Sequence, residues 1–70
     1  MSIKEQALIV NGEPVTAAAS TLSALLDELG FSGARIATAR NGDFVPERLR
    51  EATPVEPGDR IEIVSPRHGG

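Results

Sequence analysis

Seventy residues with a formal charge of -3 and a pI near 4.9 make one domain at most, of a size that buries only about 60% of the unfolded surface and cannot house a cofactor cavity and a catalytic cleft together. The acidic balance, with Phe31 and Phe44 as the only aromatics, argues against nucleic-acid binding, which needs clustered Lys and Arg and bases stacked on aromatic rings. Cysteine is absent, which excludes disulfides, thiolate metal ligands and a Cys nucleophile.

Hydrophobic residues at 40% and charged residues at 24% are the proportions of a folded chain. No apolar run approaches the ~20 residues of a membrane helix, and the first residues lack the apolar stretch of a signal peptide. The expected compartment is the cytoplasm.

Residues Ala7 to Val10 form an apolar run that stops at Asn11-Gly12, the pair that a type I′ hairpin turn favours because both central residues need positive φ. Glu13 to Ala17 is the returning strand, and Pro14 near its start suits a sheet edge. In STLSALLDELGF, Leu22, Leu25, Leu26 and Leu29 fall at i, i+3, i+4 and i+7 and line one face of a helix. Ser20 or Thr21 caps it. Gly30 takes the left-handed position that ends it, and Phe31 folds back on Leu26.

Arg35 to Arg40 reads as a strand that runs into a second Asn-Gly, Asn41-Gly42, with Phe44 and Val45 returning until Pro46. Glu47 to Ala52 is too short for an independent helix and is expected as a 3₁₀ or irregular connector. Pro57-Gly58-Asp59 turns the chain into a last strand, Arg60 to Val64, in which Ile61 and Ile63 alternate with Arg60 and Glu62. One amphipathic helix has one sheet to cover, so the expected class is α+β, a mixed sheet of four to five strands crossed by one main helix. A domain of residues 1–66 is followed by a tail of residues 67–70.

Side-chain chemistry is sparse. His68 is the single histidine, and a zinc site built without Cys or a second His would need clustered carboxylates. The Asn-Gly and Pro-Gly-Asp turns lack the spacing of a phosphate loop. Ser20, Thr21 and Ser23 lie in no nucleophile elbow, and Asp27 and Glu28 read as solvated charge on the polar helix face. The remaining reactive candidate is the α-carboxylate of Gly70. Without Cβ atoms, Gly69-Gly70 can enter a narrow channel, where an ATP-using partner could convert the carboxylate to an acyl adenylate open to a sulfur or amine nucleophile.

The stretches IVNGEPV, TLSALLDELGF, IATARNGDFVPE and PGDRIEIVSPRHGG together resemble the ubiquitin-like β-grasp family, and within it the ThiS-type sulfur carriers. The resemblance implies that Gly70 is adenylated by a ThiF-like adenylyltransferase and becomes a thiocarboxylate. Its sulfur comes from a donor such as a cysteine desulfurase and passes to a ThiG-like thiazole synthase. ATP is then a substrate of the partner and no cofactor is bound; neither nucleic acid nor membrane is involved.

The resemblance also implies a docking face beside the tail. If Leu8, Val10, Ile61 and Ile63 face the helix, then Ile9, Glu62 and Val64 face outward, and with Arg67, His68, Gly69 and Gly70 they form the expected partner surface. The small subunit of molybdopterin synthase, a conjugated ubiquitin-like modifier and a plain interaction module remain alternatives. An enzyme reading comes last because no acid, base, nucleophile and orienting group are apparent.

Overall fold

The computed structural model describes residues 5–31 and 35–65. Strands β1 (Gln6–Val10) and β2 (Glu13–Ala17) precede helix α1 (Leu22–Glu28); strands β3 (Ala37–Arg40) and β4 (Asp43–Val45), a 3₁₀ turn (Glu47–Ala52) and strand β5 (Arg60–Val64) complete the order. The five strands form one sheet in the order β2-β1-β5-β3-β4. Neighbours are antiparallel except β1 and β5, which run parallel with Ile9 beside Arg60 and Val10 beside Ile61. The sheet is thus mixed and the class α+β.

Both Asn-Gly pairs make the hairpins their composition predicts. Asn11 and Gly12 have φ of 51° and 84°, Asn41 and Gly42 of 52° and 90°, the paired positive values that match the twist of the flanking strands. Strand β2 lies at one edge with Pro14 opposite Ile9, where a residue without an N–H is tolerated.

Helix α1 is capped by Thr21, whose Oγ1 accepts from the Ala24 N–H at 3.1 Å. It ends in the paired bonds of a Schellman motif. Phe31 N–H donates to the Leu26 carbonyl at 2.8 Å, and Gly30 N–H to that of Asp27 at 3.2 Å. Leu22, Leu25 and Leu26 are buried against Leu8, Val10, Ile61 and Ile63 from the central strands, and Leu29 and Phe31 pack at the margin of this core. Glu28 departs from expectation. Instead of standing free as solvated charge, its carboxylate accepts the Ala18 N–H, with both oxygens at 3.2 Å, and so ties the β2–α1 connection to the last turn of the helix.

Strand β3 begins at Ala37 rather than at Arg35. The Ile36 carbonyl is occupied by Arg50 Nη2 at 2.8 Å, so the 3₁₀ turn, and not a neighbouring strand, takes that part of the backbone. Arg50 also donates from Nε to Thr38 Oγ1 at 3.1 Å, and the Thr38 hydroxyl donates to the Val45 carbonyl at 2.8 Å. Thr38 therefore sits in the core, 2% exposed, with its polar atom satisfied.

Candidate functional site

The helix covers one face of the sheet, and alternation along the strands assigns residues to the other. Glu62 and Val64 on β5 are exposed, whereas Ile9 on β1 is half-buried. Glu62 and Val64 lie two residues apart on one strand face. Ile9 stands farther away, level with Arg60 and between it and Pro14. The nearer neighbours of Val64 and Glu62 come from the other side of β5: Ala37 opposes Val64, Ala39 opposes Glu62, and Phe44 on β4 opposes Ala39.

Phe44 is 68% exposed and Val64 59%. With Ala37 and Ala39 between them, they form an apolar strip across β4, β3 and β5 that ends where the chain leaves the sheet. Phe44 is the member that sequence reasoning passed over. The signal was present: a two-residue Asn41-Gly42 turn pairs Arg40 with Asp43, hence Ala39 with Phe44, on the face away from buried Thr38 and Val45. Arg67, His68, Gly69 and Gly70 lie outside the described residues, as does Pro66.

Strand β5 is held at both ends by the two turn asparagines. At its start, Asn41 Oδ1 accepts the Arg60 N–H at 2.8 Å while Asn41 Nδ2 donates to Asp59 Oδ1 at 3.0 Å. Near its end, Asn11 Oδ1 accepts the Ile63 N–H at 2.8 Å and Asn11 Nδ2 donates to the Ile63 carbonyl at 3.2 Å. Asp59, 7% exposed, also accepts from Arg40 Nε at 2.7 Å and from the Glu56 N–H at 2.8 Å. Burial by itself would push the Asp59 carboxyl up; the hydrogen bonds from Arg40, Asn41 and the Glu56 amide outweigh it and hold the group below its ordinary value. The Asp59 hydrogen bond in turn raises Arg40.

An open groove on the helix side, between α1, the start of β3 and the 3₁₀ turn, is lined by Phe31 and Ile36 together with Arg35, Arg48, Asp27 and Glu51. Among the described residues no cluster of three or more His, Asp or Glu is placed to hold a metal ion, and no helix is long and apolar enough to cross a membrane.

The ThiS family model matches residues 6–70. The chain belongs to the ThiS family. In three dimensions this ThiS-family chain is similar to the thiamine biosynthesis protein ThiS of Geobacter metallireducens. Against the crystal structure the TM-score is 0.80 at 29% identity, covering 93% of this chain and 100% of that one. Against the NMR structure it is 0.75 at 28% identity, covering 93% and 88%. The ubiquitin-like β-grasp fold expected from the sequence is the fold observed.

In sequence the chain is 41% identical over 64 residues to a thiazole synthase of Paramagnetospirillum magneticum, an alignment that spans 90% of this chain but 20% of that protein. It is also 35% identical over 68 residues to the uncharacterized protein ycf40 of Porphyra purpurea, covering 96% of each. The ThiS match runs through Gly69 and Gly70.

Proposed function

We propose that this chain is a sulfur carrier for thiazole formation in thiamine biosynthesis, with the Gly70 carboxylate as the atom group that carries the sulfur. The observation that carries this reading is the ThiS family match extending to residue 70, so that the diglycine belongs to the matched region rather than trailing beyond it. The chemistry divides into two steps performed by partners. A carboxylate oxygen of Gly70 attacks the α-phosphorus of ATP on a ThiF-like adenylyltransferase, and pyrophosphate leaves. Sulfide-level sulfur then attacks the carbonyl carbon, AMP departs with the oxygen, and a thiocarboxylate remains. In the cell a cysteine desulfurase is the proposed source: its persulfide displaces AMP to give an acyl disulfide, a thiol then cleaves the S–S bond and leaves as a disulfide with the donor sulfur, and a ThiG-like thiazole synthase consumes the resulting thiocarboxylate.

The similarity to one region of a thiazole synthase supports that enzyme as the acceptor. The apolar strip of Phe44, Ala39, Ala37 and Val64 supports docking of a partner on the outer sheet face, beside the strand that leads to Arg67, His68, Gly69 and Gly70. Such a strip supplies the water-excluding contact that a short peptide tail lacks. Glu62 stands on this strip and sets its charge, while Ile9 borders the face from the far side.

The test is a mass measurement. Incubated with ATP, sulfide and an activating enzyme shown to be competent on another carrier, the chain gains the oxygen-to-sulfur difference, and fragmentation assigns it to Gly70. An unchanged mass under those conditions overturns the carrier reading.

A further inference from the structure

Strand β1 ends before its ladder with β5 is complete. Ile9 N–H donates to the Asp59 carbonyl and Asn11 N–H to that of Ile61, each at 2.9 Å, the evenly stepped pattern of a parallel pair. The next step would pair Ile63 with two further β1 peptide groups. None is available, because the chain turns away at Asn11-Gly12 into β2. The Asn11 carboxamide takes their place, with its oxygen on the Ile63 N–H and its nitrogen on the Ile63 carbonyl. One side chain thus supplies the acceptor and the donor that two successive backbone units would have provided.

We infer that Asn11 is a positioning residue for the reaction at Gly70, acting through this two-point clamp on Ile63; the inference rests on the carrier reading above. Ile63 immediately precedes Val64, the apolar residue closest to the exit of the chain. On its β1 side the end of β5 is held by Asn11. Five residues, the number from 66 to 70, span at most about 18 Å, so the placement of the end of β5 bounds where the Gly70 carboxylate can reach. Without the clamp the end of β5 is held on its β3 side alone, where Thr38 opposes Ile63 and Ala37 opposes Val64, and the strand from which the last five residues continue is less firmly placed. Misplacement of a reacting group by about 1 Å can cost on the order of a hundredfold in rate.

Asn41 provides the internal control. Its carboxamide grips the same strand at the opposite end, on Arg60 and Asp59. Glycine is compatible with the positive φ of both turns, so Asn11→Gly and Asn41→Gly each keep the hairpin and delete a clamp. Wild type and both variants are compared at a temperature where all are folded. Sulfur gain at Gly70 is timed with the activating enzyme, ATP and sulfide, and amide exchange at Ile63 and Ser65 is followed by NMR.

Asn11→Gly is expected to lower kcat/KM about tenfold or more, mostly through kcat, and to speed exchange at Ile63. Asn41→Gly is expected to stay within about twofold of wild type in kcat/KM, since its clamp lies far from the tail. Equal slowing in the two variants, or slowing in Asn11→Gly without faster Ile63 exchange, overturns the positioning role while leaving the carrier reading intact. Absence of sulfur gain in wild type removes the carrier reading itself, and with it this one.

Discussion

Arg40 Nε and Asp59 Oδ2 meet at 2.7 Å and join the last residue of β3 to the turn that launches β5. The guanidinium lies over a carboxylate that also receives the Asn41 amide and the Glu56 N–H, so this buried acid has a donor on every side that the protein offers it. Such a group is worth more as part of its network than as an ion pair.

The network predicts a specific acid response. The ordinary Asp value is about 3.9 and Asp59 is held below it in the folded state. Its contribution is therefore fully present above about pH 4 and is lost as pH falls through the lower folded value. Asp59→Asn places an NH₂ group among donors and is expected to lower stability by about 1–3 kcal/mol at neutral pH. Urea midpoints for the two proteins should converge on acidification below about pH 4. A gap that stays constant down to about pH 2.5 would contradict the assignment.

Docking on the outer face predicts a separation of binding from stability. Phe44→Ser and Val64→Ser remove exposed apolar surface, so each should shift folding stability by no more than about 0.5 kcal/mol. Each should weaken association with the activating enzyme by roughly 5- to 30-fold, the range expected when an interface residue worth about 1–2 kcal/mol is truncated. Calorimetric titration at neutral pH gives both Kd values; wild-type affinity in both variants would exclude the strip as a docking site.

The core and the tail should respond in opposite ways. Leu26→Ala empties a site that is 4% exposed and is expected to cost about 2–5 kcal/mol, a large share of the stability of a domain this small. Deletion of Gly70 should leave the circular dichroism spectrum and urea midpoint unchanged while abolishing sulfur gain. A folded spectrum lost on deletion would assign the diglycine a structural role.

The two hairpins, the helix and the 3₁₀ connector were readable because each has a local cause: paired positive φ at Asn-Gly, leucines on one helical face, and a proline before a short segment. The late start of β3 was not readable, since it depends on Arg50 reaching the Ile36 carbonyl from fourteen residues away. Thr38 hid its burial for the same reason: ATAR offers no alternation of apolar residues, and the hydroxyl is accommodated only because Val45 and Arg50 meet it in space. Glu28 reads as surface charge until the β2–α1 connection brings the Ala18 amide to it. The outer face followed from alternation on β1 and β5, but the position of Ile9 did not, because the parallel register sets it beside Arg60 rather than near Val64. The second function of the asparagines lay equally beyond local reading. Their turns are inscribed in the dipeptide, their grip on β5 only in the topology.

The parallel contact between β1 and β5 also imposes an order of assembly. The last of the five strands in chain order occupies the middle of the sheet, with the β1–β2 hairpin on one side and the β3–β4 hairpin on the other. Before Arg60 to Val64 emerge, a growing chain holds two separate hairpins with open edges, neither of which is stable alone. Closure waits on contacts distant in sequence, the class that forms slowly. A ribosome-bound or truncated chain lacking β5 is therefore unfinished in structure as well as in length. Because the apolar strip spans β4, β3 and β5, that surface exists only in molecules in which β5 has docked, so the outer face itself reports whether folding is complete.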